Sequence, residues 1–180
     1  MAASEPVDGR DDSRAVEHDS FTTCSVRIDA CDLETASDRV LAGEARGAVH
    51  LCNAYTLSLA ARDRAFAAVL NAGTLNLPDG KPLIWIARGL GFRDLTRRVY
   101  GPELMERTIE QSQGTGLRHY LYGGSPEVSI ALRNVIRERW PDAQLVGTES
   151  PRFGTLSDED LELAIDRFNE AGASIVGGLA

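Results

Sequence analysis

Between Val49 and Gly101, apolar stretches twice give way to helix-like stretches, and each changeover carries a polar residue, Asn53 and then Asp79. The run reads apolar stretch, Asn53, helix, apolar stretch, Leu77-Pro78-Asp79-Gly80, helix, then Arg97-Arg98 leading to Gly101. Alternation of this kind points to an α/β fold with parallel strands. In an open α/β sheet the strand-to-helix changeovers line the carboxyl edge, where ligands bind. An acid at that edge is better sited for chemistry than for packing.

The alternation extends along most of the chain. Thr22–Ile28 reads as a strand, and Asp32 caps a helix to about Ala42, with Leu33, Ala36, Val40 and Leu41 at helical spacing. Ala48–Cys52 and Thr74–Leu77 read as strands, with helices over Thr56–Ala61 and Asp63–Asn71 between them. Lys81-Pro82 opens a helix, proline suiting its first turn. Leu83, Ile84, Ile86, Ala87 and Leu90 give that helix a broad apolar face, to which Trp85 is assigned as a core residue. A basic loop, Phe92–Tyr100, precedes a helix from Gly101-Pro102 to about Gln113. Leu117–Tyr122 reads as a strand, turned by Gly123-Gly124-Ser125-Pro126 into a helix ending near Trp140. A strand at Ala143–Gly147, a loop, a helix capped by Ser157 and a strand at Ala173–Val176 follow. The expected fold is a mostly parallel α/β sheet in one domain over 21–180, behind a disordered acidic tail at 1–20. The final strand has neither a following loop nor a covering helix, which predicts a C-terminally truncated domain.

The 180 residues suffice for one domain with a real core. A net charge of −8 argues against nucleic-acid binding. Lys81 is the only lysine, the other basic residues being arginines, which suit a bidentate grip on phosphate or carboxylate. The start has no apolar core for a signal peptide, and no stretch reaches the roughly 20 apolar residues of a membrane span. Cys24, Cys31 and Cys52 lack a metal-like pairing and fit a reducing compartment. Cys24 and Cys52 fall in apolar runs and are expected in the core. His50 shares a strand face with Cys52, but core packing is the favoured reading of that pair. His18, His50 and His119 have no metal-ligand spacing. Asp158-Glu159-Asp160 is read as acids in the first turn of a helix, where they complement its dipole, rather than as a metal motif.

Five segments share an order and spacing with a known family: "VHLCNAYTLSLAARD" around Asn53, "LNLPDGKPLIWIARGLG" around Asp79-Gly80, "RRVYGPELM" around Arg98 and Gly101, "HYLYGGSPEV" around Gly123-Gly124, and "PDAQLVGTESPRFG". From about Phe21 onward the chain resembles the WecG/TagA/CpsF glycosyltransferases. The resemblance implies a Rossmann-like α/β fold with helices on both faces. It implies transfer of a sugar, with inversion, from a nucleotide-sugar donor, typically a UDP-hexose or UDP-amino sugar, to a lipid-pyrophosphate-linked saccharide. Products of such reactions feed teichoic acid linkage units, enterobacterial common antigen or exopolysaccharide of the bacterial cell envelope. No metal or other cofactor is implied. The implied location is cytoplasmic, with peripheral contact at the inner face of the cell membrane. The family's aspartate, proposed as general base, falls on Asp79, its asparagine on Asn53 and its arginine on Arg98. Two departures stand out. Leu51 occupies a position where many members have threonine. A Gly-x-Pro-Lys/Arg-Gln-Glu-like segment and a membrane-docking appendage would be expected after Val176.

Each candidate has a plainer reading. Asp79 can deprotonate an acceptor hydroxyl, or serve as the turn residue and cap of the next helix. Asn53 can bind a sugar hydroxyl or the uracil edge, or simply open the next helix. Arg98 beside the helix start at Gly101 can clamp a pyrophosphate, whereas Arg97 is read as part of a solvated loop. Gly123 and Gly124 can admit a phosphate to backbone N–H groups, or merely make a tight turn. The functional reading is taken for Asp79, Asn53 and Arg98. Without catalysis, the same residues would make a nucleotide-sugar binding module.

Overall fold

The computed structural model describes residues 19–44, 46–152 and 154–179. The tail expected over 1–20 lies outside them except at its end, where Ser20 already opens a strand. That strand, β1 (Ser20–Thr23), pairs antiparallel with β2 (Val26–Asp29), where the sequence predicts one continuous strand. The chain reverses at Cys24 and Ser25, whose φ angles of 50° and 63° are those of a two-residue hairpin turn. Neither residue is a glycine or asparagine, so no turn signal stands in the sequence. Cys24, expected in the core, is exposed at this turn.

From there strands and helices alternate. Asp32 accepts the Thr35 N–H and caps α1 (Leu33–Leu41). Next come β3 (Val49–Cys52), α2 (Ala54–Ala60), α3 (Arg64–Ala72) and β4 (Leu75–Pro78), with β3 and β4 parallel and Cys52 opposite Pro78. After α4 (Lys81–Gly89) and α5 (Gly101–Gln111), β5 (Arg118–Gly123) becomes the middle strand of a parallel trio. Its neighbours are β6 (Gln144–Glu149), reached through α6 (Pro126–Arg139), and β7 (Ile175–Leu179), reached through α7 (Asp158–Glu170). Ser157 and Asp160 form a reciprocal capping box at the start of α7. This mixed α/β arrangement with parallel pairing is compatible with a Rossmann-like fold.

The side of β4 away from β3 shows how this part of the fold is closed. Asp79 N–H donates to the Cys52 carbonyl at 2.8 Å, so the alternate residues Asn76 and Pro78 face the other way. Asn76 N–H meets the Asp29 carboxylate at 2.8 Å instead of another strand. Pro78 has no N–H to offer, and its carbonyl accepts from Val99 at 2.9 Å. The Asn76 side chain is fully buried and donates to the carbonyls of Arg27 (2.9 Å) and Leu70 (3.0 Å). His50 Nδ1 lies 2.9 Å from Asn76 Oδ1, which can only accept, so the ring proton sits on Nδ1. Asn76 therefore joins the hairpin, α3, β3 and β4.

Apolar residues pack around this frame. One cluster joins Phe21, Val26 and Ile28 to Leu57, Leu70, Leu83, Ile84 and Leu95. A second holds Leu75, Leu77, Val99 and Leu104, and a third gathers Ile109, Leu121, Ile136 and Trp140. The face of α4 is narrower than expected. Leu83, Ile84 and Ala87 are buried, but Trp85, Ile86 and Leu90 are exposed, since none of the described residues covers them. Replacing Asn76 with alanine removes the buried donor to the Arg27 and Leu70 carbonyls and the partner of His50 Nδ1. Asn76→Ala should lower unfolding free energy in urea by about 3 kcal/mol. A loss under about 1 kcal/mol would show that the edge is held elsewhere.

Candidate functional site

The β3–β4 register sets Asn53 and Asp79 side by side where the two strands end. A Cβ built on Gly80 would sit 3.9 Å from the Asn53 Cβ. Asn53 does open the next helix: its Oδ1 accepts from Thr56 N–H (3.0 Å) and from the Thr56 hydroxyl (3.3 Å). Capping uses only the amide oxygen, which leaves the NH2 group as a donor.

Asp79 does not act as a cap. The N-cap of α4 is Gly80, at φ 138°, with no side-chain hydrogen bond. The Asp79 side chain is only 18% exposed, and its Oδ1 is buried with no hydrogen-bond partner. Burial pushes its pKa above the ordinary carboxylate value, and the Arg98 guanidinium pulls it part of the way back. Arg98 Nη1 stands 3.5 Å from Oδ1, a Coulombic contact without hydrogen-bond geometry.

Two contacts hold Arg98 in place. The Val99 N–H on the Pro78 carbonyl pins the loop to β4, and the guanidinium lies 4.5 Å over the Tyr100 ring. Just beyond, Gly101 starts α5 against β3. A Cβ there would fall 2.6 Å from Leu51 Cδ1, so glycine permits this close approach. Neither α4 nor α5 has a side-chain cap; the first turn of α4 has no acid, and that of α5 has Glu103. A cleft of about 430 Å³ opens alongside, with Lys81, Trp85, Arg88, Arg97 and Arg98 among its walls.

Asn53, Asp79, Arg98 and Gly101 thus gather at the end of β3 and β4. Gly123 and Gly124 belong to the other strand set, at the end of β5 in the β6-β5-β7 trio. They turn β5 into α6 and lie against β7, where a Cβ on Gly123 would collide with the Leu179 carbonyl. Off the β5–β6 edge lies a second cleft of about 470 Å³, with Tyr122, Glu149, Arg152 and Arg167 in its walls. There Arg167 grips both oxygens of Glu149, at 2.8 and 2.6 Å, and the Tyr120 hydroxyl donates to Glu149 at 3.2 Å.

Cys52 is packing, not a nucleophile. It is fully buried, its thiol is pushed up to about 11, and His50 is engaged by Asn76. His119 is buried on Ser112 at 2.7 Å, and burial lowers its pKa. Sequence reading passed over Lys81, Trp85 and Arg88 as cleft residues and left Arg97 to solvent. The signal was present, because positions 81, 85 and 88 share one helical face opposite the buried Leu83 and Ala87.

Among known families, the Glycosyl transferase WecG/TagA/CpsF family matches residues 21–177. That span is most of the chain, and the chain belongs to this family.

The raised pKa of Asp79 has a signed consequence for stability. Where folding raises a carboxyl pKa, ionisation weakens the fold. The penalty is absent below the unfolded-state pKa and complete above the folded-state one. Asp79→Asn should therefore raise thermal stability at neutral pH, and the gain should vanish as the pH falls through that window. A gain independent of pH would contradict the burial effect.

Proposed function

As a member of this glycosyltransferase family the chain handles a sugar donor and an acceptor, and we propose that Asp79 is the general base of an inverting transfer. The donor is a UDP-linked hexose or N-acetylhexosamine, and the acceptor a lipid-pyrophosphate-linked saccharide of cell-envelope synthesis. The observation that carries this reading is the Asp79 carboxylate, shielded at the carboxyl edge, not used as a cap and opposed by a single arginine.

The chemistry follows from those groups. Asp79 takes the proton of an acceptor hydroxyl while that oxygen bonds to the anomeric carbon. The bond from that carbon to the diphosphate breaks, and its electron pair leaves with the diphosphate. A raised pKa makes Asp79 a better base than a surface carboxylate, provided that it stays ionised. Arg98 favours its ionised form. Arg98, with the uncapped starts of α4 and α5, also neutralises the departing diphosphate. The Asn53 NH2 group donates to a sugar hydroxyl or to the base.

A second reading, binding without turnover, draws on Leu51. Its side chain lies against Gly101 and brings apolar carbon to a position where many relatives carry a hydroxyl. Calorimetric titration with UDP-sugars, alongside a transfer assay on a lipid-pyrophosphate acceptor analogue, separates the two readings. Donor binding with no transfer would support the binding module.

Under the catalytic reading, Asp79→Asn should retain donor affinity and lower kcat by about 10²–10⁴-fold. Turnover at the unsubstituted rate would remove Asp79 from that role. Leu51→Thr should strengthen donor binding without altering the pH profile of transfer, and weaker binding would show that the apolar contact with Gly101 matters more than a hydroxyl.

A further inference from the structure

We infer that the cleft along α4 is the acceptor's own subsite, where Trp85 carries a sugar ring and Arg88 and Arg97 hold the pyrophosphate joined to it. Such a role rests on the transfer reaction proposed above, but its residues are ones that neither the base nor the donor was given. Lys81, Trp85 and Arg88 share one face of α4 and line the cleft in that order, rising about 10 Å along the helix. Lys81 follows directly on Asp79-Gly80, so its end of the row adjoins the base and Arg88 marks the far end. A ring lying on the indole can therefore turn a hydroxyl toward Asp79 and its pyrophosphate toward Arg88.

The cations of the cleft are not spent on the fold. Among the described residues Arg98 pairs with Asp79, but no carboxylate pairs with Lys81, Arg88 or Arg97. Their acidic companion among the described residues of the wall is Glu103. With Arg98 set against Asp79, the other three cations exceed Glu103 by two charges, as many as a pyrophosphate diester carries. Arginine suits that group, since its planar fork meets two phosphate oxygens at once. Trp85 is 67% exposed, and among the described residues no ring or guanidinium covers its indole, whereas Arg98 lies over Tyr100 and Arg139 over Trp140. A bare indole in a concave wall gives the C–H face of a sugar ring an apolar surface and leaves the hydroxyls in water.

Rival occupants fit less well. A nucleotide could lay its base on the indole and its diphosphate on the arginines, but the row begins beside Asp79, and the group that a general base must reach is the acceptor hydroxyl. A second copy of the chain, paired about a two-fold axis, would set these cations against themselves. A free monosaccharide would use Trp85 and leave the arginines unanswered. A sugar with a pyrophosphate attached answers both.

The test uses the full chain with two soluble probes, hexyl pyrophosphoryl-N-acetylglucosamine and hexyl pyrophosphate, in the presence and absence of UDP. Of the two tryptophans Trp140 is buried, so a change in emission reports Trp85. The sugar-bearing probe should shift that emission and bind with UDP present, and hexyl pyrophosphate should bind without the shift. Arg88→Ala should weaken both probes by about 10- to 100-fold, the loss expected for a charged hydrogen bond, and leave UDP affinity unchanged. Trp85→Ala should weaken only the sugar-bearing probe. In transfer, Arg88→Ala should raise the acceptor KM far more than it lowers kcat, with the donor KM unchanged. Displacement of the sugar-bearing probe by UDP, or loss of UDP affinity in Arg88→Ala, would give the cleft to the donor and overturn the inference. So would failure of either probe to bind, or binding of the sugar-bearing probe with unchanged Trp85 emission. Arg88-dependent probe binding beside full turnover of Asp79→Asn would keep the subsite and remove the proposed base instead.

Discussion

The Asp29 carboxylate on the Asn76 N–H is the contact from which the site is built. It takes the donor that another strand would otherwise claim and so ends strand pairing on that side of β4. Asp29 is only 1% exposed, and Arg27 at 2.8 Å balances its charge. A buried carboxylate so paired contributes mainly geometry, since its desolvation offsets much of its attraction. The geometry is what matters here. With the edge closed at Asn76 and no N–H on Pro78, the loop after α4 can lie along β4 and donate from Val99. Arg98 is the residue before Val99, and Asp79 the residue after Pro78, so one backbone hydrogen bond sets their spacing.

Two opposing effects act on Asp79. Burial favours its neutral form, and Arg98 favours the charged one. Arg98 is 47% exposed, so solvent screens its half of the contact and leaves the guanidinium able to turn toward another anion. In the proposed reaction that anion is the donor diphosphate. As the guanidinium turns to it, the restraint on Asp79 weakens and the carboxylate becomes a stronger base, at the stage when a proton must be taken up. The same arginine then serves base and leaving group in succession, which a rigid bidentate pair could not do.

Much of the fold was legible because its signals are local. Asp32, Asp63 and Ser157 cap helices as their spacing indicates, and Pro82 and Pro102 mark helix starts. Hydrophobic periodicity located the strands near their observed bounds. The failures are tertiary. Cys24 and Ser25 take positive φ without glycine, so the hairpin had no sequence mark. Trp85 and Leu90 look like core by periodicity, but burial also needs a partner, and sequence does not say which side of α4 has one. Asp29 gave no hint of burial because Asn76, whose N–H it accepts, lies far along the chain on β4. At the site, the adjacency of Asn53 and Asp79 could be anticipated from two strands ending alike. The placing of Gly123 and Gly124 on a different strand set could not, because it depends on which strands pair.

Capping a helix does not use up the polar capacity of Asn53. An asparagine has an acceptor end and a donor end, and Thr56 occupies only the first. Capping fixes the side-chain torsions in advance, so no rotamer freedom remains to be lost when the NH2 group meets a ligand. Leu51 works the other way. Its contact with Gly101 tightens the joint between β3 and α5 and removes a possible hydroxyl from the edge. In the proposed reaction, polar recognition at this edge therefore falls to Asn53, Arg98 and the two helix starts. Asn53 is positioned by its helix cap and Arg98 by a backbone hydrogen bond and ring stacking, whereas the start of α5 is set by the close approach of Gly101 to Leu51.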